Sequence, residues 1–387
     1  MKKKLIAMVL AASMVMSLAA CGAAADTSAP AATDTQAEDT GSADTAADTA
    51  AADTSASGST TDVAFVTDVG NIDDQSFNQY TWAGVQQFCA DNGLTANYYK
   101  PSEDSDAARV EQMDNAIKDG AKVVVMAGYL FAAGLAEAQA KYPDVSFLAL
   151  DVGTGDLEAP AKNTALITYK EEQAGYLAGY AAVTDGYKEL GYLGGMAVPA
   201  VVRYGYGFVQ GAEQAAKDTG ASDVHIKYWY SGSFVATDDI KAKMDSWYSE
   251  GTEVVFAAGG SICNSCLAAA LANNGKMIGV DVDQSNLDPC VITSAMKALS
   301  NSVILALTDA KDNGWQFSDA YAGKETTLGA AEDCVGLPME SSKFTTFTQD
   351  QYDKLFKSLQ DGSLVVDNSF DTAKTPAVST ITVDYQE

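Results

Sequence analysis

The chain of 387 residues has a single histidine, His225, which argues against any mechanism built on a histidine pair, a His-rich metal site or a histidine relay. It is also poor in positive charge: 24 Lys and Arg face 52 Asp and Glu, for a formal net charge of -28. A surface that negative repels phosphate backbones and anionic headgroups, so the expected partners are neutral or cationic small molecules and not nucleic acid. The one extended apolar run, residues 5–16, is shorter than the ~20 residues of a membrane-spanning helix. Phosphate-cradling glycine motifs are missing as well. No GxxxxGK[ST] occurs, and Gly205-x-Gly207 is followed by Gln210 where a dinucleotide fingerprint needs glycine. Asp281-x-Asp283-x-Ser285 starts like a calcium loop but has Asn286 and Ile292 where the glycine and closing glutamate belong, so no metal or cofactor is expected.

What is present begins with an address. Lys2, Lys3 and Lys4 precede the apolar stretch, and small residues lead into Leu18-Ala19-Ala20-Cys21-Gly22. This pattern reads as a signal peptide over residues 1–20 whose end looks like a bacterial lipobox, with Cys21 lipidated and anchoring the mature chain to the membrane. Residues 22–61 are almost entirely Ala, Thr, Asp, Ser and Gly, with no aromatic and no basic residue, a composition that cannot bury enough apolar area to offset its ordering entropy. They read as a flexible acidic tether. Setting aside the three signal lysines and the seven tether acids leaves 21 basic and 45 acidic residues from Asp62 onward, a net of -24. The acidity belongs mainly to the folded body.

That body reads as repeated strand-then-helix units. Compact apolar runs at residues 63–69, 96–100, 123–127, 146–150 and 164–169 alternate with helical spacing at 76–89, 105–118 and 131–141. A second series follows, with helices expected at 171–183, 206–217, 238–248 and 263–273 between runs at 190–194, 225–230, 254–258 and 277–280. Each series has the size of one domain. Residues 168–171, 284–292 and 329–337 are the expected crossings between them. The first lobe is then residues 62–168 with about 292–330, and the second is residues 169–291 with about 331–387.

Ligands of open parallel sheets bind beyond the carboxyl ends of the strands. At those ends stand Asp68-Val69-Gly70, Gly128-Tyr129, Asp151-Val152-Gly153, Gly259-Gly260 and Asp281-Val282-Asp283. One such aspartate is more often a turn or capping residue, and Asp73 and Asp74 before the first helix suit capping. Recurrence at matching positions in two lobes points instead to a shared cleft.

The run Val66-Thr67-Asp68-Val69-Gly70-Asn71-Ile72-Asp73-Asp74-Gln75-Ser76-Phe77-Asn78-Gln79, followed by Trp82-Ala83-Gly84, closely resembles the opening signature of the basic membrane protein family, the PnrA-like substrate-binding lipoproteins of ABC transporters. The likeness continues through Met126-Ala127-Gly128-Tyr129, Gly207-Phe208-Val209-Gln210-Gly211, Ile278-Gly279-Val280-Asp281-Val282-Asp283 and Thr293-Ser294-Ala295-Met296-Lys297. The resemblance implies an α/β type I periplasmic-binding-protein fold, two Rossmann-like lobes with parallel sheets joined by a three-segment hinge. It further implies a monomer on the outer face of a bacterial membrane that captures purine nucleosides (inosine, guanosine or adenosine) and delivers them to an ABC permease.

A nucleoside offers an aromatic base for stacking and ribose hydroxyls for carboxylates. By resemblance Phe77 is one stacking aromatic, with Phe234 or Phe208 as its partner from the second lobe. Asp68 and Asn78 are assigned to the base edge. Gly128 stands with the cleft edge, and Asp151, Gly259 and Asp281 with the ribose. Lys297 is a donor or the countercharge to Asp281, while Asp283 is either a further contact or a turn aspartate. Two other readings remain open at this level: a sugar or other neutral ligand, or a nucleoside sensor, on the same fold, and a nucleoside hydrolase using paired carboxylates. Cys89, Cys263, Cys266, Cys290 and Cys334 make five non-lipidated cysteines. The Cys263-x-x-Cys266 pair lacks a thioredoxin-like context and reads as buried and structural.

Overall fold

The computed structural model describes residues 60–387. The expected signal peptide, Cys21 and nearly all of the tether lie outside the described residues. The first series runs β1 (Val63–Val66), α1 (Phe77–Asn92), β2 (Ala96–Tyr99), α2 (Asp106–Lys118), β3 (Val123–Ala127), α3 (Ala132–Lys141), β4 (Ser146–Leu150) and β5 (Thr164–Tyr169). The second runs α4 (Glu171–Thr184), β6 (Glu189–Gly194), α5 (Pro199–Thr219), β7 (His225–Tyr230), α6 (Asp238–Ser249), β8 (Val254–Ala258), α7 (Ile262–Asn273), β9 (Lys276–Asp281) and β10 (Val291–Lys297). The chain then adds α8 (Leu299–Asp312), β11 (Lys324–Leu328), β12 (Val335–Gly336), α9 (Gln349–Gln360) and β13 (Thr382–Tyr385).

β1, β3, β4 and β5 are apolar or hydroxyl-bearing throughout and buried at every residue, as strands covered by helices on both faces must be. They form a six-stranded sheet in the order β11-β5-β4-β3-β1-β2, all pairs parallel. The second sheet has seven strands, β12-β10-β9-β8-β6-β7-β13, parallel except where β12 runs against β10. Both repeat one doubly wound order, so each has its switch point where the ligand crevice of such sheets opens, between β1 and β3 and between β6 and β8.

The chain passes between the sheets at Lys170, at Ala298 and between β11 and β12. These crossings are tied together: Lys170 N–H donates to Leu328 O, and Ala298 N–H to Cys334 O, both at 2.9 Å. Two expectations are corrected here. β10 stays paired with β9 through Met296, so the second crossing lies at Ala298 and not at residues 284–292. Asp283, Ser285, Asn286, Asp288 and Pro289 have the composition of a linker but form the turn between two adjacent strands. Helix α5 starts at Pro199, well before the expected Tyr206. Proline at the first helical position is a start signal, which the glycines at 205, 207 and 211 obscured.

Those glycines have a packing reason. α4 and α5 lie backbone against backbone: a Cβ on Gly207 would stand 2.1 Å from Glu172 O, and one on Gly211 2.0 Å from Tyr176 O. Gly175 and Gly179 on α4 meet α5 equally closely, so any side chain at the seam would part the helices. The largest apolar core runs from Phe65 and Trp82 through Tyr169 to Phe208 and Phe256, and all five described cysteines are free and buried. No helix among the described residues is long and apolar enough to cross a membrane.

Candidate functional site

The strand ends of both lobes open onto one cleft. In the first lobe its wall is built by Asp68 just after β1, by Asp74, Phe77 and Asn78 at the start of α1, by Gly128 after β3 and by Asp151 after β4. In the second it is built by Phe234 in the loop after β7, by Gly259 and Gly260 after β8, by Asp281 and Lys297 at the ends of β9 and β10, and by Tyr204 and Val201 from α5. Backbone geometry repeats between the lobes. Asp151 and Asp281 end equivalent strands with φ of +58° and +66°, a left-handed conformation that aspartate tolerates better than most residues. Gly128 and Gly259 follow equivalent strands with φ of +115° and +156°, and a Cβ on Gly259 would sit 2.9 Å from Gly195 Cα.

Asp74 organises the first-lobe wall. Its carboxylate accepts the backbone N–H groups of Ser76, Asn78 and Gln79 at 2.9–3.0 Å, capping the free amides that open α1. Asn78 then braces two acids, its Nδ2 donating to Asp68 Oδ1 at 2.9 Å and to Asp74 Oδ2 at 3.0 Å. Asp68 Oδ1 also accepts Gly70 N–H at 2.6 Å. Burial pushes the Asp68 carboxyl up to about 6, against the pull of those hydrogen bonds, and burial raises Asp74 as well.

On the other side a buried ion chain runs behind the cleft. Lys297 Nζ lies 2.6 Å from Asp151 Oδ2 and 3.0 Å from Glu171 Oε1, and Glu171 Oε2 lies 2.7 Å from Arg203 Nε. The ammonium also sits 5.0–5.4 Å from the ring centroids of Phe77, Tyr169 and Tyr204, close enough for cation–π attraction. Burial would discharge Lys297, but Asp151, Glu171 and Asp281 outweigh it and hold the amine above its ordinary value. Burial pushes Asp151 up to about 6, partly offset by Lys297, and its Oδ1 is buried with no donor among the described residues. Besides the Lys297–Asp151 pair, two hydrogen bonds bridge the lobes across the cleft: Ser76 Oγ–H donates to Asp281 Oδ2 at 2.5 Å, and Gln284 Nε2 donates to Gln75 O at 2.9 Å.

A hinged pair of lobes around a cleft rich in hydrogen-bond acceptors is the layout of a solute-capture protein. The profile of the Bmp family, described as ABC transporter substrate-binding protein PnrA-like, matches residues 61–367. The chain belongs to this family. This Bmp-family protein is 27% identical over 288 residues to basic membrane protein B of Borreliella burgdorferi, which covers 70% of this chain and 78% of the relative. It is 28% identical over 237 residues to the ABC transporter nucleoside-binding protein BmpA of Lactococcus lactis subsp. cremoris, covering 58% of this chain and 64% of the relative. Among solved structures, an ABC transporter system solute-binding protein from Aeropyrum pernix K1 is similar with a TM-score of 0.69 and 21% identity, covering 81% of this chain and 95% of that one. The fold is that of type I periplasmic binding proteins, and the family consists of ABC transporter substrate-binding proteins.

Nine of the ten binding residues expected from the Bmp resemblance line the cleft: Asp68, Phe77, Asn78, Gly128, Asp151, Phe234, Gly259, Asp281 and Lys297. Asp283 does not. Its oxygens accept Ser285 N–H at 2.9 Å and Ser341 Oγ–H at 2.6 Å outside that cleft, so it is the turn aspartate. Burial opposes its charge, but those hydrogen bonds prevail and hold its carboxyl below the ordinary value. Phe208 is likewise removed from the cleft, fully buried between Tyr192 and Phe256. Lys297 pairs with Asp151 and Glu171, not with Asp281. Asn78 spends both amide hydrogens on acids, leaving only its oxygen, which also accepts Asp68 N–H at 3.4 Å, to meet a ligand.

Sequence reasoning missed Tyr204, whose hydroxyl donates to Asp281 Oδ1 at 3.3 Å, and Glu171 behind Lys297. Pro199 was the signal that could have brought Tyr204 into α5 and onto the cleft. No local signal marks Glu171 beyond the helix it opens. Asp74 is both the expected cap and a cleft residue.

Proposed function

We propose that this protein captures purine nucleosides (inosine, guanosine or adenosine) between its lobes and passes them to the permease of an ABC importer. The observation that carries the reading is the pairing of one aromatic from each lobe, Phe77 and Phe234, with Asp151 Oδ1, a buried acceptor left without a donor. Two aromatic faces suit a purine, whose stacking contributes about 1–3 kcal/mol per base. The unsatisfied carboxylate oxygen suits a ribose hydroxyl, since a buried acceptor without a donor is costly. The nucleoside-binding name of the Lactococcus relative agrees with this ligand class.

The lobes in this mechanism are residues 62–169 with 298–328 and residues 170–297 with 329–387. Ligand makes contacts that only the closed arrangement can complete, shifting the hinge equilibrium toward closure, and the permease reads the closed surface. The protein works as a monomer on the outer face of a bacterial membrane, held by a lipid on Cys21 after removal of the signal peptide. Its role is binding without turnover.

Calorimetric titration with inosine, guanosine, adenosine, cytidine, uridine and galactose tests the ligand assignment. Micromolar or tighter binding of a purine nucleoside is expected, and failure of all nucleosides, or preference for galactose, overturns it. Release of free base from inosine on incubation overturns the non-enzymatic role. Labelled fatty acid is expected on the wild type and not on Cys21→Ala, and equal labelling rejects the anchor.

A further inference from the structure

We propose that Glu171, which does not line the cleft, is a positioning residue for ligand capture: it holds Lys297 on Asp151 so that the cleft's other carboxylates stay open to ligand hydroxyls. The inference rests on the nucleoside reading above.

Glu171 opens α4 directly after Lys170, the first crossing between the lobes, and is fully buried. Lys297 ends β10 directly before Ala298, the second crossing. Each is therefore anchored at a place where lobe motion is taken up. Glu171 hydrogen-bonds Arg203 of α5 through Oε2 and holds Lys297 through charge alone, its Oε1 lying 3.0 Å from the ammonium without a hydrogen bond, and the ion chain Arg203–Glu171–Lys297–Asp151 ends just beyond the first-lobe strand β4.

The cleft around the ammonium is crowded with competing anions. Asp68, Asp74 and Asp281 all line it, and Asp281 acts on Lys297 strongly enough to help hold its proton. A flexible lysine with one counterion could swing to Asp281. There it would occupy an acceptor meant for ligand and leave Asp151 with two bare oxygens. The second carboxylate, Glu171, pins the amine from behind, where no ligand reaches. Asp281 then keeps its hydrogen bonds from Ser76 and Tyr204, and Asp151 presents Oδ1 alone. The negative charge of Glu171 thus selects for hydroxyl donors at a point it never touches.

The test compares inosine with 2′,3′-dideoxyinosine by calorimetric titration of the wild type and of Glu171→Gln, which keeps shape and can still accept from Arg203. The wild type is expected to prefer inosine by 100-fold or more. In Glu171→Gln that preference should collapse to less than tenfold, with dideoxyinosine affinity held within threefold of the wild type. Equal weakening of both ligands, with the ratio preserved, means a merely structural role and overturns the inference while leaving the nucleoside reading intact. A wild type that binds neither ligand overturns both. Should the single variant not fold, Glu171→Gln/Arg203→Gln leaves neither charge unmatched and carries the same measurement and the same criteria.

Discussion

Asp68 should destabilise the ligand-free protein at neutral pH, and replacing it by asparagine should raise stability while lowering affinity. The residue is 7% exposed, and burial pushes its carboxyl up to about 6 from an ordinary 3.8, with nearby Asp74 adding to the rise against hydrogen bonds from Gly70 and Asn78. A rise of about 2, at about 1.4 kcal/mol per pKa unit, corresponds to roughly 3 kcal/mol. The sign follows from proton counting. Below about pH 4 the group is protonated both folded and unfolded, and the penalty is absent. Between about pH 4 and 6 the folded state holds more protons than the unfolded one, so stability falls as pH rises. Above about 6 the full penalty applies.

Asparagine at position 68 keeps an oxygen to accept Gly70 N–H and Asn78 Nδ2 but carries no charge. Urea unfolding of ligand-free wild type and Asp68→Asn at pH 4 and pH 7.5 should show near-equal stability in acid. At pH 7.5 the variant should gain up to about 3 kcal/mol. Its purine nucleoside affinity should fall at least tenfold in the same buffer. A variant less stable at both values, or an advantage that does not grow with pH, refutes the assignment of an ionised, desolvated carboxylate.

Four further outcomes are expected. Inosine monophosphate should bind at least 100-fold more weakly than inosine, because Asp68, Asp74, Asp151 and Asp281 face the cleft against the one lining cation, Lys297; competition calorimetry reads this directly. Gly207→Ala should cost about 3 kcal/mol or more in chemical denaturation, since its Cβ would meet Glu172 O at 2.1 Å, whereas Gly155→Ala, with open space around it, should fall within about 0.5 kcal/mol of wild type. Phe234→Ala should weaken nucleoside binding by about 5- to 100-fold with little change in stability, and Phe208→Ala should instead cost about 3–5 kcal/mol of stability from the core. Ser76→Ala, which deletes the hydrogen bond to Asp281 across the cleft, should speed nucleoside release by about 5- to 100-fold in stopped-flow displacement, with little effect on the association rate.

Much of this architecture is local enough to read from the chain. Val123–Ala127 and Val254–Ala258 are unbroken apolar runs because both faces of a parallel strand are buried, and that pattern needs no partner to be recognised. The same holds for aspartates and glycines at strand ends, where backbone torsions that few residues accept must be met by Asp151, Asp281, Gly128 and Gly259. The crossing at Ala298 was harder, because a strand's allegiance to a sheet is set by pairing with β9 and not by its own residues.

The sequence by itself therefore determined the two-lobed α/β plan, the edge on which a ligand can bind and nine residues that line the cleft. Tertiary structure alone decided how those residues are used. Lys297 could neutralise any of several acids, and only its placement 2.6 Å from Asp151 and 3.0 Å from Glu171 selects those two. Asn78 had an amide to offer until Asp68 and Asp74 took it, and Phe208, whose spacing already suited a buried helix face, is packed against Phe256 while Phe234 reaches the cleft. Hydrogen bonding, ion pairing and burial depend on distances between groups as far apart in the chain as Ser76 and Asp281. The chemistry of each side chain is written in the sequence, but its partner is a property of the fold.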